Sequence, residues 1–433
     1  MKLIVENIRS FAGRHTVELK PLTLVVGENS SGKSTLLAAL AALSEKTVFP
    51  GRLALNKEPH DLGTYRTVAT YKGGKFGRAT SFSIGYSCAP ESSEVLATYK
   101  EIKGDIVLSR LRLGTDRFEV ELQFAEGKMT GTLRAKTAAS SSAPSGQPEK
   151  RGEFQQLIQL VSDVDPSAVS IAETLPHFLL RAMMDKPETA FQPNELFQLT
   201  REVARCIPPT RSLAPIRSKP RRVYDRSSVG YEPGGEHIPY LLAKLLNDEQ
   251  DDRREQVSGA LKKFGEQSGL FKEVAAPMLG SHPGDPFEIE ISIAGPATNL
   301  LDVGYGVSQS LPIVVESLLA ASATRLLVQQ PEVHLHPRAQ AALGTFLVDM
   351  VRDGKRQFVV ETHSDYIIDR IRQEVAAERL TPESVAIVYL EKPGIETTVH
   401  QLQLDESGNI VNAPETYRTF FMQEEMNLLS RVA

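Results

Sequence analysis

A chain of 433 residues is long enough for one large unit with an inserted domain, or for two or three domains, and can bury a substantial core. Its 41% hydrophobic and 24% charged residues are ordinary for a soluble globular protein. No apolar run approaches the roughly 20 residues that cross a bilayer, so no membrane-spanning helix is expected. The net charge of -5 argues against nucleic-acid binding through the average field, although a local basic patch remains open. Cys88 and Cys206 are far apart and lack CxxC spacing, so neither a disulfide framework nor a zinc cluster is indicated; both read as buried thiols. The start, MKLIVENIRSFAGRHTVEL, scatters its apolar residues among charges, unlike a signal peptide, so a cytoplasmic location is expected.

In chain order, two short strands are predicted at Lys2 to Ile8 and His15 to Leu19, then an apolar strand at Leu22 to Val26. A Gly-rich turn leads into a helix over Lys33 to Leu43, where Ala and Leu dominate. From about Thr64 to Lys136, runs such as FSIGYS, DIVLSRLRL and FEVELQF alternate apolar and polar residues between Gly-bearing turns, which predicts an antiparallel β-rich segment. Residues Thr137 to Gly152, TAASSSAPSGQPEKRG, read as a flexible loop. From Glu153 to about Ile207 the pattern reads as helical, with LIQLV, FLLRAMM and LFQLTREVARCI, and a charged helical stretch follows over Ile238 to Phe264. Neither sustains the heptads of a long coiled-coil arm. Between them lies RSLAPIRSKPRRVYDR, Arg211 to Arg226, the best local candidate for a polyanion; its charges read equally well as solvated or carboxylate-paired. After Phe287, strands and helices alternate to about Leu390, which predicts a mostly parallel sheet covered by helices, and Asn412 to Ala433 reads as a short terminal helix.

The strongest motif is GENSSGKST, Gly27 to Thr35, which satisfies G-x-x-x-x-G-K-[ST] between an apolar strand and a helix. Gly27 and Gly32 allow backbone conformations that point successive N–H groups inward, so Gly27, Glu28, Asn29, Ser30, Ser31, Gly32, Lys33, Ser34 and Thr35 can cradle the phosphates of ATP. Lys33 is expected to reach the β- and γ-phosphates and Ser34 to ligate Mg²⁺. In a second constellation, LLDVGYGVSQSLPIV, Gly304 and Gly306 precede Ser308 at a predicted helix N-cap, which could face an anion or simply cap the helix.

The order of these parts resembles the ATP-binding-cassette heads of the recombination and chromosome-maintenance type and the related overcoming-lysogenization-defect-like ATPases. The resemblance is carried by NIRSFAGRHTVEL, GENSSGKST, GYGVSQSLP as signature, QQPEVHLHP as Walker B region and VVETHS as switch histidine. APIRSKPRRVY, VGYEPGGEHI and LDESGNIVNAPE further resemble segments of a bacterial group of AAA-labelled ATPases, of unassigned function, found in defence systems. The resemblance implies an α/β P-loop fold of ABC-head type, with a mixed sheet, an antiparallel β lobe and an inserted helical region. It also implies a homodimer or higher homo-oligomer with ATP between the heads, Ser308 reaching the partner's γ-phosphate, and His363 beside the phosphate. The expected segments are an N-terminal ATPase lobe (1–136), a flexible loop (137–152), a helical insertion with the basic segment (153–270) and a C-terminal ATPase lobe (271–433).

One departure stands out. The family pattern ends the Walker B strand with an acid, and here Gln329 and Gln330 stand instead. Glutamine keeps hydrogen-bonding reach but takes no proton, so ATP is expected to bind well and turn over poorly. Three explanations are open: Gln329 is an engineered ATP-trapping change at a metal-holding position; Glu332 or Glu361 supplies the carboxylate; or the chain is a naturally slow switch. The expected function is an ATP-dependent switch controlling a separate effector, a nuclease or toxin, in defence against phage or plasmids. A DNA-binding repair or chromosome-maintenance ATPase using Arg211 to Arg226 is the alternative.

Overall fold

The computed structural model describes residues 1–74, 77–88, 93–136, 154–184, 193–225, 230–248, 251–282, 285–354 and 356–417. The expectation for 137–152 falls outside these, as does residue 418 onward of the terminal helix expected over Asn412 to Ala433, whose residues 412–417 form a bend and a turn instead of helix. Two compact units are each assembled from separated stretches of chain. The first comprises Met1–Glu18, Thr35–Pro208 and Lys392–Thr398, and the second Leu19–Ser34, Pro209–Glu391 and Val399–Ala433.

Among the described residues, the first unit holds an eight-stranded sheet in which every neighbouring pair is antiparallel. Lys2–Ile8 lies between Phe11–Glu18 and Phe82–Cys88, and the remaining strands follow in chain order. The last of them, Phe154–Asp163, corrects the helical reading of LIQLV. That run is too short for its period to separate helix from strand, and pairing with Lys128–Lys136 decides it. Leu160 is 1% exposed and its neighbour Val161 61%, the two-residue alternation of a half-buried strand. The helices Leu175–Met184 and Pro193–Arg205 do form as predicted. Both cysteines are half-buried thiols rather than core residues, because Cys88 ends a strand and Cys206 follows the last helical turn.

The second unit is built on a six-stranded sheet in the order Thr210–Leu213, Thr324–Gln329, Arg356–Glu361, Leu22–Gly27, Val385–Glu391, Thr398–Leu402. The first five strands run parallel to one another. Leu22–Gly27 and Thr324–Gln329 are buried along almost their whole length, as strands covered on both faces must be, which explains their continuous apolar sequences. The helices Tyr305–Leu319, Pro337–Arg352 and Asp365–Ala376 supply Leu311, Val314, Leu343, Leu347, Ile367 and Ile371 to the core around this sheet. The stretch expected as one charged helical region is two helices, Ile238–Asn247 and Arg253–Ser268. The expected helical insertion over 153–270 is not one piece. Its first strand completes the antiparallel sheet, whereas Thr210–Leu213 pairs with Thr324–Gln329 in the other unit, so the division falls at Pro208/Pro209. No helix among the described residues is long and apolar enough to cross a membrane.

Candidate nucleotide site

Parallel register brings the site together. Gln329 pairs with Glu361 and Glu361 with Val25, so the ends of three adjacent strands lie side by side with Gly27 two residues beyond. The crevice beyond the carboxyl ends of parallel strands is where such sheets bind ligands. Gly27 (φ 143°), Ser30 (φ 62°) and Gly32 (φ 109°) turn the loop after the central strand. A Cβ at Gly27 would lie 2.3 Å from the Leu390 carbonyl oxygen, so only glycine fits there.

Lys33, 4% exposed, folds over this loop, its Nζ donating to the carbonyls of Gly27 (2.9 Å) and Glu28 (2.7 Å). Burial lowers its pKa, and the charges of Glu361, Glu332 and Glu28 oppose that shift. Ser34 Oγ meets both carboxylate oxygens of Glu361, at 3.0 and 3.1 Å, and Gln329 Nε2 donates to Glu361 Oε2 at 3.2 Å. Glu361 is therefore the buried carboxylate beside the loop serine, and Gln329 serves it as a donor. The Gln329 side-chain carbonyl is buried without a hydrogen-bond partner. Gln330 takes a left-handed backbone (φ 42°), and its N–H donates to the Glu361 carbonyl at 2.7 Å, turning the chain off the strand.

Glu332 faces the next turn. Its carboxylate accepts from Thr362 Oγ1 at 2.8 Å and from the His363 N–H at 2.7 Å. His363 itself is exposed; burial, then the nearby Lys33 charge, lowers its pKa, with Glu361 opposing, so at neutral pH the ring is uncharged. Ser364 caps the following helix through its contact with the Ile367 N–H and donates to Gln340 Oε1 at 2.6 Å. The structure thus gathers Lys33, Ser34, Gln329, Gln330, Glu332, Glu361 and His363 into one place.

Residues 241–368 match the family model described as an AAA ATPase domain, and residues 2–47 match one described as an AAA domain. Two segments of the chain, one of them containing the Gly27–Thr35 loop, thus match AAA-type ATPase domains. A search of curated proteins finds no match. Among solved structures, the chain is similar to the SmcHead bound to the C-winged helix domain of ScpA, at 13% identity over 93% of this chain and 98% of that one, with a TM-score of 0.41. It is similar to the SMC head domain from Thermotoga maritima at 11% identity, over 92% and 97%, with a TM-score of 0.37. The Smc head domain with an extended coiled coil bound to the C-terminal domain of ScpA, derived from Pyrococcus furiosus, gives 12%, 100% and 98%, and 0.40.

Two features of the ATPase differ from the sequence reading. Ser308 is not the N-cap: Gly304 is, and the helix Tyr305–Leu319 starts a turn earlier, leaving Ser308 7% exposed with its Oγ on the Tyr305 carbonyl at 3.0 Å. Glycine at 306 did not delay the helix, because it lets that turn approach the His334 carbonyl, 3.1 Å from where a Cβ would stand. The second difference is the basic segment, in which two cations are paired with acids at the surface and one is buried. Arg211 pairs with Glu316 and Arg222 with Asp302, while Arg217 is 2% exposed and donates from Nη2 to the Gln329 carbonyl at 3.0 Å. Lys219 and Arg221 are exposed, and Arg226 lies outside the described residues. Composition could not single out Arg217, since every arginine in a basic run looks alike until one is buried.

Ser34 and Glu361 offer the hard oxygen donors that Mg²⁺ requires, and the glycine-dependent loop with Lys33 fits a phosphate chain. The residues present therefore fit Mg²⁺ and ATP. Among the described residues, no group of three or more His, Cys, Asp or Glu side chains forms a separate metal site.

Proposed function

We propose that the chain is a slow Mg²⁺–ATP switch whose working carboxylate is Glu361, and that two or more copies close on ATP to control a separate effector. The observation that carries this reading is Glu361 held between Ser34 and Gln329. Mg²⁺, when bound, would offset the charge of the phosphates. Ser34 and Glu361 would hold it, Gln329 keeps the carboxylate in place, and Lys33 would supply a cation for the phosphates. Gln329 and Gln330 cannot take a proton, and Glu361 and Glu332 are each committed to two donors. The uncharged, exposed His363 is left to orient water, so turnover is slow and the ATP-loaded state accumulates.

The dimer reading rests on the resemblance of GYGVSQSLP to a signature motif, and the exposed Leu301 and Tyr305 at the front of its helix suit a surface that meets another copy. An effector nuclease or toxin in bacterial defence against phage or plasmids is the output this resemblance favours. Sedimentation of the chain with Mg²⁺–ATP and with Mg²⁺–ADP tests the switch. A dimer or larger species with ATP alone, abolished by Ser308→Arg, is expected; a monomer under all conditions overturns it. The DNA reading keeps only Lys219 and Arg221 as exposed cations without an acid partner among the described residues of its segment. Duplex binding that falls steeply with salt and disappears in a Lys219→Glu, Arg221→Glu variant would favour it instead.

A further inference from the structure

Arg217 is an anomaly for a structural arginine. Its guanidinium is buried, yet Nε and Nη1 have no hydrogen-bond partner and only Nη2 is used, on the Gln329 carbonyl. A buried cation with two unmatched donors opposes folding, so its retention needs a reason in the site it touches. Its contacts lie within that site. The Arg217 N–H meets Gln309 Oε1, on the signature helix, at 3.4 Å, and Nη2 fixes the end of the Walker B strand. Burial draws its pKa down to about 10, which leaves it charged at neutral pH, and Glu332 is the acid whose charge acts on it. Glu332 in turn holds Thr362 and the His363 N–H.

We propose that Arg217 is a positioning residue of the ATPase: it fixes the Gln329 main chain directly and, through Glu332, sets the turn that presents His363. The contacts of Arg217 join the segment before the signature helix to the end of the Walker B strand, the charge of Glu332 links it to the turn of the switch histidine, and none of its own hydrogen bonds is to the phosphate loop. Loss of Arg217 should therefore slow chemistry while leaving nucleotide binding nearly intact. The inference rests on the ATPase reading, and the test below separates the two.

ATP turnover, binding of a fluorescent ATP analogue and amide hydrogen exchange are compared for the wild type, Arg217→Met, Arg217→Lys, Glu332→Gln and the double variant. Arg217→Met should lower kcat about 10- to 100-fold, the usual effect of losing a supporting partner, with KM within about threefold. Arg217→Lys should recover part of that loss by restoring the charge. The His363 amide should exchange at least about tenfold faster in both Arg217→Met and Glu332→Gln, with Val360 unchanged, and the double variant should be no worse than the worse single one. Unchanged kcat, additive losses or unaltered His363 exchange would each overturn the proposal. If Arg217→Met does not fold, the lysine variant combined with Glu332→Gln completes the same cycle. If the wild type shows no turnover, the functional reading fails, while exchange at His363 still decides whether Arg217 acts through Glu332.

Discussion

At position 329 a single amide changes what a neighbouring acid can do. Gln329 Nε2 donates to Glu361 Oε2 at 3.2 Å, a contact that a second carboxylate would turn into repulsion. Gln329→Glu should therefore raise the pKa of one of the two acids and cost roughly 1–3 kcal/mol at neutral pH without metal. The sign follows from linkage: an acid whose folded pKa is raised loses stability as pH climbs through the carboxylate range, so variant and wild type should converge in acid. Denaturant melts in EDTA and in Mg²⁺, at pH 7 and pH 4, check this, and a variant indifferent to Mg²⁺ would show that the pair is not a cation site. The glycine-dependent turn after the central strand was legible in the sequence because Gly27 and Gly32 are constrained by local geometry. Glu361 was legible as one candidate among two. Its pairing with Ser34 was not, since that depends on strand register across 327 residues.

The helix Tyr305–Leu319 shows how an element is held from the side. Glu316, wholly buried near its end, is met by His237 Nε2 at 3.0 Å and by Arg211. His237 Nδ1 accepts from the Glu232 N–H at 3.2 Å, which leaves Nε2–H to donate to Glu316. Close by, Gly235 (φ 83°) lets the chain pass tightly against Pro312 of the same helix, whose Cβ is 2.8 Å from where a side chain at 235 would begin. Burial alone would push the Glu316 pKa up, but the hydrogen bonds from His237 and Arg211 outweigh it and the carboxyl sits below its usual range. A depressed acid pKa adds stability above the unfolded value and gives it up as pH falls through the folded one. Glu316→Gln should thus cost roughly 1–3 kcal/mol at pH 7 and progressively less below about pH 4, measured by chemical denaturation. Periodicity found the helices after Phe287 and the alternation of the parallel sheet. It misread Phe154–Asp163, because a short apolar run fits either period and only its distant hairpin partner resolves the choice.

On the scale of the whole chain, the ATPase unit has its central strand at one end of the sequence and that strand's two neighbours near the other. Leu22, Leu24, Val25 and Val26 are each at most 5% exposed. Burying four such side chains contributes roughly 6–12 kcal/mol, comparable with the roughly 5–15 kcal/mol that separates folded from unfolded in a typical domain. A fragment of residues 209–433 should accordingly show no cooperative thermal transition and no ATP binding; a sharp melt from that fragment would refute this.

The same separation orders events during synthesis. Ser34 and Glu361 lie 327 residues apart, which at about 5–20 residues per second is roughly 15–65 seconds of translation. Throughout that interval the phosphate loop exists as sequence but not as a site. On the proposed reading, a ribosome that stalls before residue 361 releases a chain without Glu361, and so without the carboxylate that completes the nucleotide site beside Ser34.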